Sequence, residues 1–317
     1  RDLSEYPEST LDLVYYPTNK IRVPVNKQNV LQSGLVKAKD SALIVDYIDI
    51  DLPSALPKNR IMMLDILANN NWERPIYFSG GSFDKAEYIW MKDYLQLEGL
   101  AYKLVPIKTV NESPYEMGRI DTDRMYEVVT KWDWGNSGSS DIYHDPQTRT
   151  QGLSFRGNLA RLAEELINEN KIDKAREILD IALTNMPVEY FGYYTFVEPY
   201  VDGYYKVGET EKARALFKKL KGIYQDRLEY YAGIPLDEQY DKIEEIISDM
   251  EGYRRNIDIL IDNNDREMAE TETEVFNETI DLFSHFYQDE ILEEETWQEA
   301  PDPTNAVEDT LSDSLLP

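Results

Sequence analysis

The sequence predicts a mostly α-helical protein of the α+β class, with a small α/β subdomain followed by a helical array and a C-terminal helical hairpin. Three observations predict it. Short apolar runs alternate with runs of helical spacing before residue 110. Two similar heptapeptides, DKAREIL at residues 173–179 and EKARALF at residues 211–217, each follow a turn. Beyond residue 233, apolar residues again recur at helical spacing.

The first 134 residues are predicted to form the small α/β subdomain. Three short apolar runs, at residues 42–52, 75–79 and 100–107, predict strands. Two runs of helical spacing lie between them, at residues 58–71 and 83–96. The order strand, helix, strand, helix, strand favours right-handed crossovers and a small parallel sheet, although residues 42–52 could instead pair antiparallel.

Shorter segments flank these five elements. Residues 11–16 and 21–25 predict edge strands between prolines, and residues 121–132 predict a helix. Residues 135–150 are polar and rich in Gly and Ser. We therefore predict a linker loop and a domain boundary there.

Residues 151–232 are predicted to form two helical hairpins that share one apolar seam. The first hairpin turns at Asn170 and Lys171, and Pro187 closes it. Its helices carry facing apolar stripes, made of Leu159, Leu162, Ala163, Leu166, Ala175, Leu179 and Ala182. Alanines at 163 and 175 let antiparallel helices approach closely, where a larger side chain would overpack at roughly 1–3 kcal/mol. This spacing fits the tetratricopeptide repeat (TPR), whose period is about 34 residues.

The second hairpin fits the same pattern less closely. It turns at residues 206–208, and its apolar positions are Val197, Tyr200, Tyr204, Ala213, Phe217 and Leu220. Leu220 and Gln225 stand where the TPR pattern prefers a small residue and a proline. The alternative is that these are two ordinary hairpins whose similarity is due to chance. TPR-like arrays more often bind partners than catalyse reactions, which favours a binding function for this half.

The last part of the chain is predicted to be a helical hairpin over residues 233–296 and an acidic tail over residues 297–317. The hairpin turns at residues 262–265. Residues 267–317 contain 16 Asp or Glu and no Lys or Arg, so the acidic charge is concentrated at this end. We expect the tail either to be mobile or to be held by packing that is unrelated to function.

Composition limits the classes of partner. The formal net charge is −28, from 61 acidic and 33 basic residues, which argues against nucleic acid and anionic membrane surfaces. The chain has no Cys, so it has neither disulfides nor thiolate metal sites. No apolar run approaches the roughly 18 residues that span a bilayer, so we expect a soluble chain. Because it opens on Arg1 rather than Met, we expect a fragment or a processed product.

Four stretches of sequence together resemble one protein family. They are LANNNWERPIYF at residues 67–78, YLQLEGLAYKLVPI at residues 94–107, GRIDT at residues 118–122 and FRGNLARLA at residues 155–163. Residues 12–260 resemble the C-terminal periplasmic, TPR-containing region of bacterial multi-pass membrane proteins similar to protein O-mannosyltransferases. The glycine-rich residues 79–82 and the acidic C-terminal extension depart from that family.

The resemblance implies a location on the periplasmic side of the bacterial inner membrane, in a membrane-anchored glycosyltransferase-like parent. The catalytic acid and the lipid-linked sugar site of such enzymes are expected in loops between membrane spans, which this sequence lacks. The resemblance therefore places no catalytic residue on this chain. The partners it implies are the membrane-embedded part of the same polypeptide and a protein or glycan acceptor.

Several residues invite a chemical interpretation, and each also has a plainer one. Residues 79–82 (SGGS) could hold an anion but are typical of an ordinary turn. Carboxylates near predicted strand ends could serve glycoside chemistry or be solvated surface charge: Asp46, Asp49, Asp51, Glu73 and Asp84. His144 and His285 lie in different predicted domains, and residues 262–265 favour a helix-capping turn over a calcium loop. We assign no catalytic residue, no cofactor site and no metal ligand.

An aromatic cluster between the two hairpins is the candidate binding surface. Its residues are Tyr190, Tyr193, Tyr194, Phe196, Tyr200 and Tyr204. Exposed aromatic side chains give rigid, amphipathic contact area for peptides and sugars. The alternative is that about half of them form a buried helix stripe.

These observations predict a non-catalytic interaction or scaffold region that presents an acceptor protein or a partner to the membrane part. The alternative is an independent carbohydrate-active enzyme that uses carboxylates of the α/β subdomain. A third possibility is a structural spacer.

Overall fold

The computed structural model describes residues 18–52, 56, 58–79, 89–110 and 117–286. The strand predicted at residues 11–16, the turn at residues 80–82 and the acidic tail lie outside the described residues. The chain forms two compact units, Arg1–Tyr193 (unit 1) and Tyr194–Pro317 (unit 2). Helices dominate the described residues and the strands lie toward the N-terminus, which confirms the predicted α+β, mostly α class.

Unit 1 begins with a two-stranded antiparallel sheet formed by β1 (Lys20–Pro24) and β2 (Tyr47–Asp51). Ile48 and Ile50 of β2 are fully buried, whereas Asp49 and Asp51 point to the other face, where Asp49 pairs with Arg22 at 2.7 Å. The alternation seen in the sequence is therefore that of a half-buried strand. The helix α1 (Lys27–Gln32) and a 3₁₀ helix (Ala38–Leu43) connect the two strands, and α2 (Lys58–Asn70) follows them.

A second sheet of four strands follows in unit 1. Its strands are β3 (Tyr77–Ser79), β4 (Leu95–Glu98), β5 (Ala101–Leu104) and β6 (Arg119–Ile120), in the order β3-β5-β4-β6. Strand β5 pairs antiparallel with both β3 and β4, and the short β6 pairs parallel with β4. A 3₁₀ helix (Ile89–Tyr94) leads directly into β4.

The predicted parallel sheet is wrong, and so is the C-terminal part of the helix predicted at residues 83–96. Glu98 of β4 pairs with Ala101 of β5, which leaves a two-residue hairpin turn where a crossover was expected. Gly99 makes this turn possible because its φ is +71° and a Cβ there would lie 2.8 Å from Trp132. The strand predicted at residues 42–52 is also shorter, since its first part is the 3₁₀ helix.

The helical part of unit 1 consists of α3 (Thr122–Val129), α4 (Pro146–Asn168), α5 (Ile172–Asn185) and α6 (Val188–Phe191). Helices α4 and α5 pack together as the predicted first hairpin. All seven residues of its predicted apolar stripes are buried, including Ala163 and Ala175. Arg156 of α4 is also buried and donates hydrogen bonds to the carbonyls of Met186 and Gly192, which ties α4 to both ends of α6.

Unit 2 stacks two helical hairpins. A 3₁₀ helix (Tyr194–Val197) leads into α7 (Glu198–Lys206) and α8 (Thr210–Gly233), and the short α9 (Leu236–Asp241) connects these to α10 (Ile243–Asp262) and α11 (Arg266–Asp281). Helix α10 packs against α7, α8 and α11. Unit 2 therefore has a layered core whose largest fully buried side chains include Tyr200, Phe217, Tyr224 and Tyr253.

The three hairpins end their first helix with the same turn. In each, one residue adopts positive φ: Asn170 (58°), Gly208 (81°) and Asn264 (62°). The N–H of the next residue then donates to the carbonyl five residues before it, which belongs to Leu166 (2.8 Å), Tyr204 (2.8 Å) or Leu260 (2.9 Å). Five residues after each turn residue stands a buried alanine: Ala175, Ala213 and Ala269. The two similar heptapeptides of the sequence contain the first two of these alanines, and the structure shows that Ala269 occupies the equivalent position in the third hairpin.

Candidate functional site

The aromatic residues named from the sequence differ widely in exposure. In unit 1, Tyr193 is 40% exposed and its hydroxyl lies 3.0 Å from the Thr150 hydroxyl, whereas Tyr190 is half-buried. In unit 2, Phe196 is 49% exposed and Tyr194 is half-buried. Tyr200 and Tyr204 are core residues of unit 2. Tyr193 and Phe196 are thus the two most exposed of the six.

The described residues of unit 2 include three carboxylate clusters, in each of which a buried carboxylate accepts hydrogen bonds from a tyrosine hydroxyl and an arginine. The clusters are Asp249 with Tyr194 and Arg227, Glu198 with Tyr224 and Arg255, and Asp265 with Tyr205 and Arg214. The arginine Nε atoms lie 2.7, 3.0 and 2.7 Å from these carboxylates, respectively. Each cluster joins the first hairpin of unit 2 to the second. They therefore stabilise the stacking of the two hairpins.

The pKa values of these clusters fit a structural role. Burial, together with the hydrogen bond to the carboxylate, raises the pKa of Tyr194 and of Tyr205. The hydrogen bond from Arg214 holds the pKa of Asp265 below its ordinary value. The tyrosines thus remain hydrogen-bond donors at neutral pH, and Asp265 remains an acceptor.

The four-stranded sheet has one apolar face and one polar face. Phe78, Tyr102, Leu97 and Ile120 are paired across the strands on the apolar face. One residue from each strand forms the matching row on the other face, here called the polar row: Tyr77, Lys103, Gln96 and Arg119. Glu98 lies on the polar face as well, two residues after Gln96.

Glu98 is the centre of this polar face. Its carboxylate accepts hydrogen bonds from the Tyr77 hydroxyl (2.8 Å), the Gln96 amide (2.8 Å) and Lys103 Nζ (3.2 Å). Arg124 Nε approaches the same carboxylate at 3.5 Å. Burial, then the bond to Glu98, raises the pKa of Tyr77 to about 12, so the hydroxyl keeps its proton.

A cavity of about 370 Å³ lies over the polar row. Its lining comes from the polar face of the sheet, from the segment Ser33 to Asp40, and from the start of α3 with Asp121, Arg124 and Glu127. Two ion pairs hold the segment Ser33 to Asp40 in place, Lys37 to Asp121 at 2.8 Å and Arg119 to Asp40 at 3.0 Å.

The sequence interpretation missed the cavity residues Gln96, Glu98 and Lys103. The signal was present in the alternation Leu-Gln-Leu-Glu before Gly99 and in the apolar run after it, which together indicate a hairpin.

Where the structure describes them, the carboxylates that the sequence analysis named for glycoside chemistry do not lie at this cavity. Asp46, Asp49 and Asp51 form surface ion pairs with Lys27, Arg22 and Lys20, and neither they nor Glu73 lines the cavity. Asp84 lies outside the described residues.

The two histidines and the turn at residues 262–265 make packing and hydrogen-bonding contacts within the fold. His144 Nε2 lies 2.9 Å from the Ser137 carbonyl, and its ring packs on Phe191. His285 packs its ring on Phe283 and Phe286. Asp265 of the turn is held by Arg214. Within the part of the chain that the structure describes, no group of His, Asp or Glu side chains is arranged to hold a metal ion.

A comparison with protein-family models bears on the cavity. The family model described as TMEM260-associated domain 2 matches residues 2–124, a range that includes most of the cavity lining. Neither a curated protein nor a solved structure matches the chain. Among the described residues, none of the helices combines the length and the apolar character that crossing a bilayer requires.

Proposed function

We propose that this chain is a non-catalytic interaction region of a membrane protein similar to protein O-mannosyltransferases. It acts on the periplasmic side and presents an acceptor protein to the membrane-embedded part of the same polypeptide. The resemblance of residues 12–260 supports this proposal, and the match to a TMEM260-associated domain is consistent with it.

The observation that carries the proposal is the repeated helical hairpin. Three hairpins use one turn geometry and place an alanine at one position of the second helix. Such units cannot bury their apolar faces alone, so they stack, as the two hairpins of unit 2 do. Stacked helical hairpins of the TPR kind form extended surfaces that bind other proteins. The repeated hairpin therefore supports an interaction function for this chain.

Phe196 is the side chain best placed for such contact. It lies in the 3₁₀ helix Tyr194–Val197, which is fixed at both ends, because Tyr194 donates to Asp249 and Val197 is fully buried. An exposed aromatic ring on a rigid segment loses little conformational freedom on binding. This arrangement favours a preformed contact site for an acceptor polypeptide.

Photocrosslinking in the native envelope tests the proposal. A photoreactive residue replaces Phe196 in the whole protein, and a matched control replaces Glu211, which is exposed at the start of α8. Tyr194 is unsuitable for this purpose because its hydroxyl is engaged by Asp249. We expect adducts with an acceptor protein from position 196 and not from position 211. Equal adducts from both positions, or none from 196, would contradict the proposal.

A transfer assay separates this function from the alternative. The purified chain should transfer and hydrolyse no sugar, and its deletion from the whole protein should reduce glycosylation. The cavity around Glu98 favours the alternative of an independent carbohydrate-active enzyme. Turnover of glycosides by the purified chain that disappears in the Glu98→Gln variant would establish that alternative instead.

A further inference from the structure

The polar face of the four-stranded sheet is unusual because its centre is buried. In an antiparallel sheet with one apolar face, the other face normally contacts water and holds polar residues there. Here Gln96, Glu98 and Lys103 are each at most 7% exposed, although they lie on the polar face. Burying a charge pair rarely stabilises a fold more than apolar residues of the same volume would. Residues of this kind enclosed around a cavity are typical of binding sites.

Among the residues that the structure describes, the lining of the cavity carries no net formal charge. It includes four cationic side chains and four carboxylates: Lys37, Lys103, Arg119, Arg124, Asp40, Glu98, Asp121 and Glu127. The cations are engaged with these carboxylates, through the pairs Lys37–Asp121, Arg119–Asp40 and Lys103–Glu98 among others. A phosphate or sulfate would therefore meet carboxylates as well as cations. This charge balance favours a neutral ligand rich in hydrogen-bonding groups.

Tyr77 adds an aromatic surface to the same cavity. Tyr77 is 46% exposed, and its hydroxyl donates to Glu98 at 2.8 Å. This bond holds the side chain in place beside the hydrogen-bonding groups of Gln96 and Glu98. Sugars combine an apolar C–H face with hydroxyls that both donate and accept, and they fit this combination.

We propose that the cavity over the polar row binds a neutral carbohydrate of one or two sugar residues. The volume of about 370 Å³ lies at the lower end of the range of small-molecule sites, which suits a ligand of that size. The hydroxyls bridge Gln96, Lys103 and the carboxylates, and one sugar face packs on Tyr77. This site is separate from the contact surface at Phe196 and does not depend on the function proposed for it.

Ligand-observed NMR on the whole 317-residue chain tests the proposal. The probes are neutral methyl glycosides of the gluco, galacto and manno series with the matching disaccharides, and inorganic phosphate and glycine serve as comparison ligands. We expect saturation transfer to at least one glycoside and none to phosphate or glycine. Absence of glycoside binding at about 20 mM, where even a millimolar complex is largely formed, would overturn the proposal. Binding of glycine or phosphate in place of the sugars would overturn it too.

Variants then locate the site. Tyr77→Ala should weaken glycoside binding about tenfold, the loss expected for one stacked ring, and Tyr77→Phe should weaken it less because the ring remains. Tyr143→Ala is the matched control, since Tyr143 is 82% exposed in the same unit and does not line the cavity. Circular dichroism and thermal denaturation confirm that each variant is folded. Equal binding by the Tyr77→Ala and Tyr143→Ala proteins would refute the location.

Discussion

Gly252 of α10 packs against the side chain of Tyr224 in α8. A Cβ built on Gly252 would lie 2.5 Å from the Tyr224 hydroxyl oxygen and 2.8 Å from two carbons of its ring. Tyr224 is fully buried, and its hydroxyl donates to Glu198 at 2.8 Å. The ring therefore cannot move away without breaking that bond or separating the helices. We predict that Gly252→Ala destabilises unit 2.

The magnitude follows from two opposing effects. Replacing Gly by Ala inside a helix stabilises it by about 0.5–1 kcal/mol. At Gly252 this gain is opposed by overpacking, about 1–3 kcal/mol, or by loss of the hydrogen bond to a charged acceptor, about 1.5–3 kcal/mol. The net result is a destabilisation of about 1–2 kcal/mol. Gly222 in α8 is the matched control, because nothing lies within 4 Å of a Cβ built there, and Gly222→Ala should stabilise.

Hydrogen exchange followed by mass spectrometry measures the effect where it occurs. Because the chain has two compact units, a single two-state transition is not assumed, and exchange is read in peptides from α8 and α10. Gly252→Ala should speed exchange of the α10 amides about tenfold, since about 1.4 kcal/mol corresponds to a factor of ten. Gly222→Ala should slow exchange in α8. An unchanged or slower rate in Gly252→Ala would refute the packing argument.

Two further predictions concern the helix turns. The Arg214 guanidinium lowers the pKa of Asp265 below its ordinary value of 3.8, so the stabilisation is complete above that value and is lost as the pH falls through the folded-state pKa. Thermal denaturation should show wild-type stability falling more steeply than that of Asp265→Asn as the pH falls below about 4, and parallel curves there would contradict this. At Asn170, whose φ is +58°, Ala should cost about 1 kcal/mol and Gly almost nothing, measured as hydrogen exchange in peptides from α4 and α5, whereas equal exchange rates would exclude strain at this turn.

The helical part of the fold could be predicted because its determinants are local. The stripes that include Leu159 and Ala163 repeat within one helix, and the turn at Asn170 follows them directly. The same holds for β2, where Ile48 and Ile50 alternate with aspartates. The third hairpin was less visible, since Ala269 shares with Ala175 and Ala213 only a preceding acidic residue and its distance from the turn.

The sheet and the candidate site could not be predicted because both depend on pairings between distant residues. The polar row needs the register of Tyr77 against Lys103 and of Gln96 against Arg119, which no local pattern specifies. The carboxylate clusters have the same character, since Tyr194 and its partner Asp249 lie 55 positions apart. Only the hairpin at Gly99 carried a local signal that would have corrected the sheet topology.

The two-faced composition of β4 also determines how the sheet can assemble. Sliding this four-residue strand by one position against β5 would turn Gln96 and Glu98 into the layer of Phe78 and Tyr102, and Leu95 and Leu97 toward the charged side. An unpaired carboxylate in such a layer costs several kcal/mol, so misaligned pairings are strongly disfavoured. The register of very short strands is normally weakly specified. Here the energetic cost of burying Glu98 unpaired favours a single register of β4 against β5 as the sheet forms.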